Sequence, residues 1–263
     1  MCWTVNLFDV MILLVLILKL YGVSMMKKIA LGFICCSVTC VIFADDTQPN
    51  YWSGDVLMGL SWGSLSNTDT LQMSPEIDNQ YATDSTSSAV PLVGLGLAYN
   101  ILYRNVDFGL GLSTYYLHDT NASGVATPGI NAGSTDALNY SASGNSAALM
   151  FEPKFTLDQY AWQPYVLMGM GMAFNHFSDY SESPTDLSPF NSLTQIAFAY
   201  ELGIGVQYVF TIQSYMPIVA LDYRYMNWGN AGMAPFTSQQ TNNDLNFGDL
   251  KTNSLNLSLI LPF

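Results

Sequence analysis

Five ionisable side chains stand where side chains of their kind are rarely found. Glu152, Lys154, Glu201, Asp222 and Arg224 lie near the middle of three segments whose alternate positions are apolar, in ALMFEPKFTL, IAFAYELGIGVQYVF and VALDYRYMNW. In each segment the charged residues share a parity, and in a β-strand residues of one parity share a face. Charges placed among so many apolar neighbours are costly unless they neutralise one another. The expected chemistry is therefore an ion-pair network in which Lys154 and Arg224 meet the three carboxylates. Such a network either plugs an interior or, by exchanging partners, gates a narrow ion path.

A second candidate chemistry rests on the histidines, His118 and His176, which have serines near them. An acyl-transfer or deacylation site needs a nucleophile with its base. No local motif joins these residues, so catalysis is not expected. Two histidines alone supply too few ligands for zinc, and no metal or cofactor is expected.

The elements that carry the five charges repeat along the chain. Trp52, Val56, Met58, Leu60 and Trp62 share one parity, and Ser53, Asp55, Gly59 and Ser61 occupy the other. Val93 to Ile101, Val106 to Leu112, Leu149 to Leu157, Val166 to Phe174, Phe198 to Phe210, Val219 to Tyr225 and Leu255 to Phe263 follow the same rule. Eight strands follow from the alternation. Their second face is glycine, small polar or charged, too small for a solvated exterior and suited to the inside of a narrow closed barrel. The polarity is inverted relative to a soluble protein, apolar outside and polar inside.

Connection lengths agree. Short links at 103–105, 158–161 and 211–215 alternate with long ones at 66–88, 118–146, 175–194 and 229–249, the latter rich in Asn, Ser, Thr, Gly and Asp. Alternating short turns and long loops are expected of a transmembrane β-barrel. Aromatic residues gather at both strand ends, Trp52, Tyr160, Trp162, Tyr208, Phe210 and Phe263 by the short turns and Trp62, Tyr116, Phe174, Tyr200 and Tyr225 by the long loops, as two membrane interfaces would select. The long links hold acidic residues and neither lysine nor arginine. Such a surface could bind divalent cations or a basic partner, but simple solubility at the cell face is the favoured reading.

The chain of 263 residues carries seven Lys plus Arg against twenty Asp plus Glu, a formal net charge of -13. Phosphate backbones require a basic patch, so nucleic acid is not an expected partner. Residues 1–44 read as an N-terminal extension plus a signal peptide. Lys27 and Lys28 precede an apolar run ending at Phe43, and Ala44 stands before Asp45 as the expected cleavage site. Met25 or Met26 is the expected start of translation. All four cysteines, Cys2, Cys35, Cys36 and Cys40, precede Ala44, so the expected mature domain, 45–263, has no disulfide.

The segments WQPYVLMGMGMAF, FAYELGIGVQYVF, LDYRYMNWG and LKTNSLNLSLILPF resemble strands of the small OmpA-like outer-membrane barrel family of Gram-negative bacteria. The resemblance implies an all-β, eight-stranded, antiparallel up-and-down transmembrane barrel with both termini in the periplasm and no peptidoglycan-binding domain. It implies that Leu257, Leu259, Leu261 and Phe263 form the signal read by the barrel-assembly machinery, although Pro262 departs from the usual residue there. Periplasmic chaperones, outer-membrane lipid and lipopolysaccharide are the further partners it implies. The expected role is structural or one of surface interaction through the long loops. The alternatives are a narrow pore gated by the lumen ion pairs and, more remotely, a lipid-modifying enzyme.

Overall fold

The computed structural model describes residues 50–263, apart from 75, 88, 104, 158–160, 184–188, 211–215 and 237–242. Ala44, Asp45, Tyr160 and the whole proposed leader lie outside the described residues. The strands are β1 (Asn50–Ser74), β2 (Ile77–Thr86), β3 (Val90–Tyr103), β4 (Val106–Thr127), β5 (Leu138–Leu157), β6 (Trp162–Ser183), β7 (Phe190–Asn191), β8 (Leu193–Val209), β9 (Ile218–Pro235) and β10 (Leu245–Pro262). All pair antiparallel, and β10 returns to β1 in a register running from Ser53 opposite Pro262 to Ser64 opposite Lys251. The sheet is thereby closed on itself.

Eight strands form the wall, as the alternation predicts. β2 and β3 are two halves of one of them, since both pair with β1 on one side and β4 on the other. β7 is a two-residue ladder beside the end of β9. Phe263 is fixed beyond β10 by backbone bonds in both directions with Trp52, at 2.8 and 3.2 Å.

The inward and outward faces near the termini follow the predicted parity. On β8, Phe198 and Ile204 are 66% and 62% exposed, while Glu201 between them is 2% exposed. Leu257, Leu259 and Leu261 point outward with Val56, Met58 and Leu60 of the paired strand. An exterior this apolar matches lipid rather than water.

The stretches expected to be long loops are in large part strand. β1 runs on to Ser74, β4 to Thr127 and β6 to Ser183, while β5 and β10 begin at Leu138 and Leu245. The barrel therefore continues beyond the aromatic belt of Trp62, Tyr116 and Phe174 as a second storey. There the polarity reverses. Outward on β1, Trp62 is followed by Ser64, Ser66, Thr68 and Thr70, and inward Ser61 is followed by Leu65 and Leu71, both buried. Polar composition marks the loss of lipid around the strand, not the end of the strand.

Four strands reach this reversal through a β-bulge, which adds one residue and so exchanges the faces. On β4 the inward series changes from Tyr115 and Leu117 to Thr120 and Ala122, on either side of Asp119 at φ 60°. On β6 it changes from Phe177 to Tyr180 around Asp179 at φ 56°. Gly229 and Gly248 play this part on β9 and β10 with φ of 71° and 89°. Glycine is needed at 229 for a second reason, because a Cβ would lie 2.6 Å from the Phe198 carbonyl oxygen.

The second storey has a core of its own. Trp228, Tyr81, Phe177, Phe247, Leu65 and Leu71 are all below 2% or at 2% exposure. Tyr140 stacks on Tyr180 with ring centres 5.5 Å apart, and Phe177 meets Phe247 edge-on at 5.3 Å. Inside it Tyr140 shares a 2.6 Å bond with Thr83, and the Trp228 indole N–H donates to Thr252 at 2.9 Å. At the tip, the β4–β5 connection is stitched to the β1–β2 hairpin by Asn131, which accepts from the Asp78 N–H at 2.9 Å and donates to the Glu76 carbonyl at 3.0 Å.

Glu182 enters this core with 6% exposure, and the Tyr180 hydroxyl donates to it at 2.8 Å. Burial pushes its carboxyl above the ordinary carboxylate range, and the tyrosine bond offsets only part of that. A carboxyl raised in the folded state destabilises the fold when ionised. The penalty is absent below the unfolded value of about 4.3, grows as pH rises toward the folded value, and is complete above it. Glu182→Gln should therefore raise the urea midpoint at pH about 8 and leave it close to wild type at pH about 4. A difference that stays constant across that range would refute the assignment.

Candidate functional site

The barrel interior at the level of the lipid-facing band gathers the five predicted residues. Arg224 is its centre because β9 holds it, 6% exposed, between strands that bring carboxylates from three directions. Its Nε donates to Asp222 Oδ1 at 2.7 Å and its Nη2 to Asp222 Oδ2 at 3.1 Å, a two-pronged bond along its own strand. Its Nη1 lies 3.5 Å from Glu201 Oε2 and 3.9 Å from Glu152 Oε2. The same nitrogen donates to the Tyr115 hydroxyl, which in turn donates to Glu152 Oε1. One guanidinium thus serves three carboxylates, which its planar fork of donors permits.

Lys154 does not join them as expected. Its ammonium donates to the Gln207 side-chain oxygen at 2.7 Å and lies 4.3 Å from the centre of the Tyr165 ring. Gln207 then donates to Gln163 at 2.8 Å. The physical reason lies in the geometry of Arg224, which already occupies the faces of Glu152, Glu201 and Asp222. Lysine, a point charge with a flexible stem, is left with the amide and the ring.

Further residues complete the cluster. Tyr165 donates to Asp222 Oδ2 at 2.7 Å and Asn256 to Asp222 Oδ1 at 2.8 Å, so Asp222 accepts from three side chains. Asp55 also faces this interior, next to Lys154, Glu152 and Arg224 around one cavity of about 50 Å³. The parity of Asp55 with Ser53 and Ser61 signals its inward direction in the sequence. Tyr115 shares the parity of Gly111 and Ser113, and Tyr165 that of Leu167 and Gly169, so the same rule points both inward. Neighbouring glycines make room: a Cβ on Gly169 would stand 2.5 Å from Glu201 Oε1, and one on Gly96 would collide with the Asp55 carboxylate.

The histidines lie apart from this cluster, on the outward face where the lipid-facing band ends. His118 Nδ1 is 2.8 Å from Asn145 Oδ1, and His176 Nδ1 is 2.9 Å from Thr194 Oγ1. Among the described residues no serine hydroxyl is bonded to either ring. The register lines up Asn145, His176 and Thr194 across three strands as a polar row above Ala147, Phe174 and Ile196.

A closed antiparallel barrel with a lipid-compatible exterior and a charged, filled interior invites comparison with known families. The family described as "Outer membrane protein beta-barrel domain" matches residues 31–263. The chain belongs to this family. Its place is accordingly the bacterial outer membrane. Among solved structures it is similar to Neisserial surface protein A, at 11% identity and TM-score 0.36, over 82% of this chain and 98% of that one. It is similar to Ail, the attachment invasion locus protein of Yersinia pestis, at 13% identity and TM-score 0.38, over 80% and 99%. It is also similar to the outer membrane protease OmpT of Escherichia coli, at 9% identity and TM-score 0.41, over 85% and 100%. No match is found among curated proteins.

In an outer-membrane barrel the two lumen cations should differ sharply in their weight. Arg224→Met leaves buried carboxylates without a counter-charge, a change expected to cost about 3–5 kcal/mol. Lys154→Met removes a charged hydrogen bond to a neutral amide, for about 1.5–3 kcal/mol. Urea unfolding of the two variants in lipid vesicles should rank them in that order, and the reverse order would contradict the centrality of Arg224.

Proposed function

We propose that this protein is a structural outer-membrane barrel that carries a rigid platform beyond the membrane for contact with other molecules, and that its lumen is sealed. The observation that carries this reading is the double closure of the interior. The Arg224 cluster fills the barrel at the level of the lipid-facing band. Above it Trp228, Phe177 and Phe247 fill the second storey, each essentially without exposure. An ion crossing the lumen would have to displace both layers.

The platform has the composition of a contact surface held by strands. Ser66, Thr68, Thr70 and Asp84 point outward from β1 and β2, and Asn121 and Ser123 from β4. Backbone pairing and the Asn131 stitches fix their spacing. A pre-formed surface loses little conformational freedom on binding. Surface protein, attachment and protease are the descriptions borne by three similar structures, so similarity alone selects no partner.

One observation favours the second reading, a gated narrow pore. Arg224 Nη1 is shared among Tyr115, Glu201 and Glu152, so a modest rotation exchanges partners without leaving a charge alone. An enzyme reading has no comparable support, because each imidazole is bonded to an amide or a threonine.

Single-channel recording on the refolded chain separates the two. The sealed reading expects silence from wild type and from Arg224→Ala, and conductance only when the upper core is also opened by Trp228→Ala with Phe247→Ala. Discrete openings in Arg224→Ala alone would overturn it in favour of the pore. Folding in every preparation is checked by heat-modifiable gel migration.

A further inference from the structure

The tripeptide Asn-X-Ser, with X other than proline, is the acceptor signal for attaching a glycan to the asparagine amide. The chain carries it at Asn121-Ala122-Ser123, Asn139-Tyr140-Ser141 and Asn256-Leu257-Ser258. The fold separates the three. Asn256 is 0% exposed in the lumen, and its amide already donates to Asp222 at 2.8 Å and to Ser254 at 3.0 Å. A sugar there would prevent the barrel from closing. Asn139 is exposed, but its strand is paired on both sides, with Val125 of β4 and Ser183 of β6 opposite it.

Asn121 stands where the wall is interrupted. The β2–β4 register ends at Thr83 opposite Gly124, and the β3–β4 register resumes only at Leu92 opposite Leu117. Residues 120–123 of β4 therefore pair with β5 alone. On the other side the Asn121 carbonyl accepts from the Ser85 hydroxyl at 3.1 Å. The Asn121 side chain is exposed and forms no hydrogen bond among the described residues. Around it the outward residues are small: Ser143 stands opposite, Ser123 lies on the same face of β4, and Ser141 stands opposite Ser123. Asp119, at the bulge, precedes Asn121 by two residues and gives this signal an anionic handle, whereas Ala137 and Ser254 hold that position before Asn139 and Asn256.

We propose that Asn121 is the acceptor of an N-linked glycan, transferred from an oligosaccharide carried on a polyprenyl diphosphate. The Asn121 side-chain nitrogen attacks the anomeric carbon of the first sugar. The new C–N bond forms as the C–O bond to the diphosphate breaks, the polyprenyl diphosphate leaves with the electron pair, and the amide nitrogen gives up one proton. Ser123 shares the face of Asn121 because alternate residues of a strand do, so the amide and the hydroxyl of the signal are presented together. A stretch paired on one side opens more readily to a transferase than one paired on both. Once attached, the glycan stands on the outward, water-facing side of the second storey, over a floor of serine hydroxyls. The inference deepens the platform reading and rests on it: the contact made by this face is then carried in part by sugar.

The test is peptide mass mapping of the protein purified from the outer membrane of the cells that produce it, with fragmentation of the peptide that holds residue 121. The expected result is added mass equal to whole sugar residues, located on Asn121. It should be lost in Asn121→Gln and in Ser123→Ala, and kept in Ser123→Thr and in Asn139→Gln. Heat-modifiable gel migration checks that each variant is folded. A wild-type peptide with the mass of the amino acids alone overturns the proposal, as does added mass that survives in Asn121→Gln or disappears in Asn139→Gln. A bare Asn121 leaves the sealed platform standing, because single-channel recording tests that reading separately.

Discussion

Every backbone N–H and C=O inside a hydrocarbon layer must find its partner within the protein, because lipid supplies none. The closing pair of β1 and β10 meets that constraint here, and most of the remaining structure follows from it. An eight-stranded wall encloses a narrow interior, so the inward positions can hold only glycine, small residues or a few long side chains meeting at the centre. Long side chains that meet across a barrel of this polarity are charged or hydroxylated, and they must be neutralised in place. Arg224 performs that neutralisation for three carboxylates, and Asp222 is held in turn by Tyr165 and Asn256.

The same wall solves a different problem once it leaves the lipid. With water outside, the stabilising arrangement is the ordinary one, apolar within and polar without. β1 and β5 reach it by changing residue types along an unbroken parity, as β1 does between Trp62 and Leu65. β4, β6, β9 and β10 insert a bulge at Asp119, Asp179, Gly229 or Gly248. Two environments are thus served by one continuous hydrogen-bonded sheet, and the upper core forms a stopper over the charged layer. This stacking, charge below and aromatic rings above, is what favours a sealed platform over a conduit.

The fold was largely legible in the chain. Strict alternation in Val56 to Trp62, Phe108 to Leu112 and Leu255 to Leu261 gave the strands, their number and their inverted polarity, because period-two patterning is a local property. The inward placement of Glu152, Lys154, Glu201, Asp222 and Arg224 followed from parity alone, and that of Asp55 was available by the same rule. The extension of the strands past Trp62, Tyr116 and Phe174 was obscured because Ser, Thr, Asn and Gly are common to loops and to water-facing strands. The inverted alternation of Leu65, Leu71 and Tyr81 was the overlooked signal, and on β4, β6, β9 and β10 the bulges broke even that.

By itself the sequence determined what each strand shows to its surroundings, since side-chain direction in a strand is fixed by position along it. Which lumen residues bond to which was decided only by the tertiary structure. Strand register and shear set the height at which residues from different strands meet, and neither is written in any single segment. Parity could place Lys154 and Arg224 in one interior, but only the closed barrel brings Arg224 to the carboxylates and sends Lys154 to Gln207.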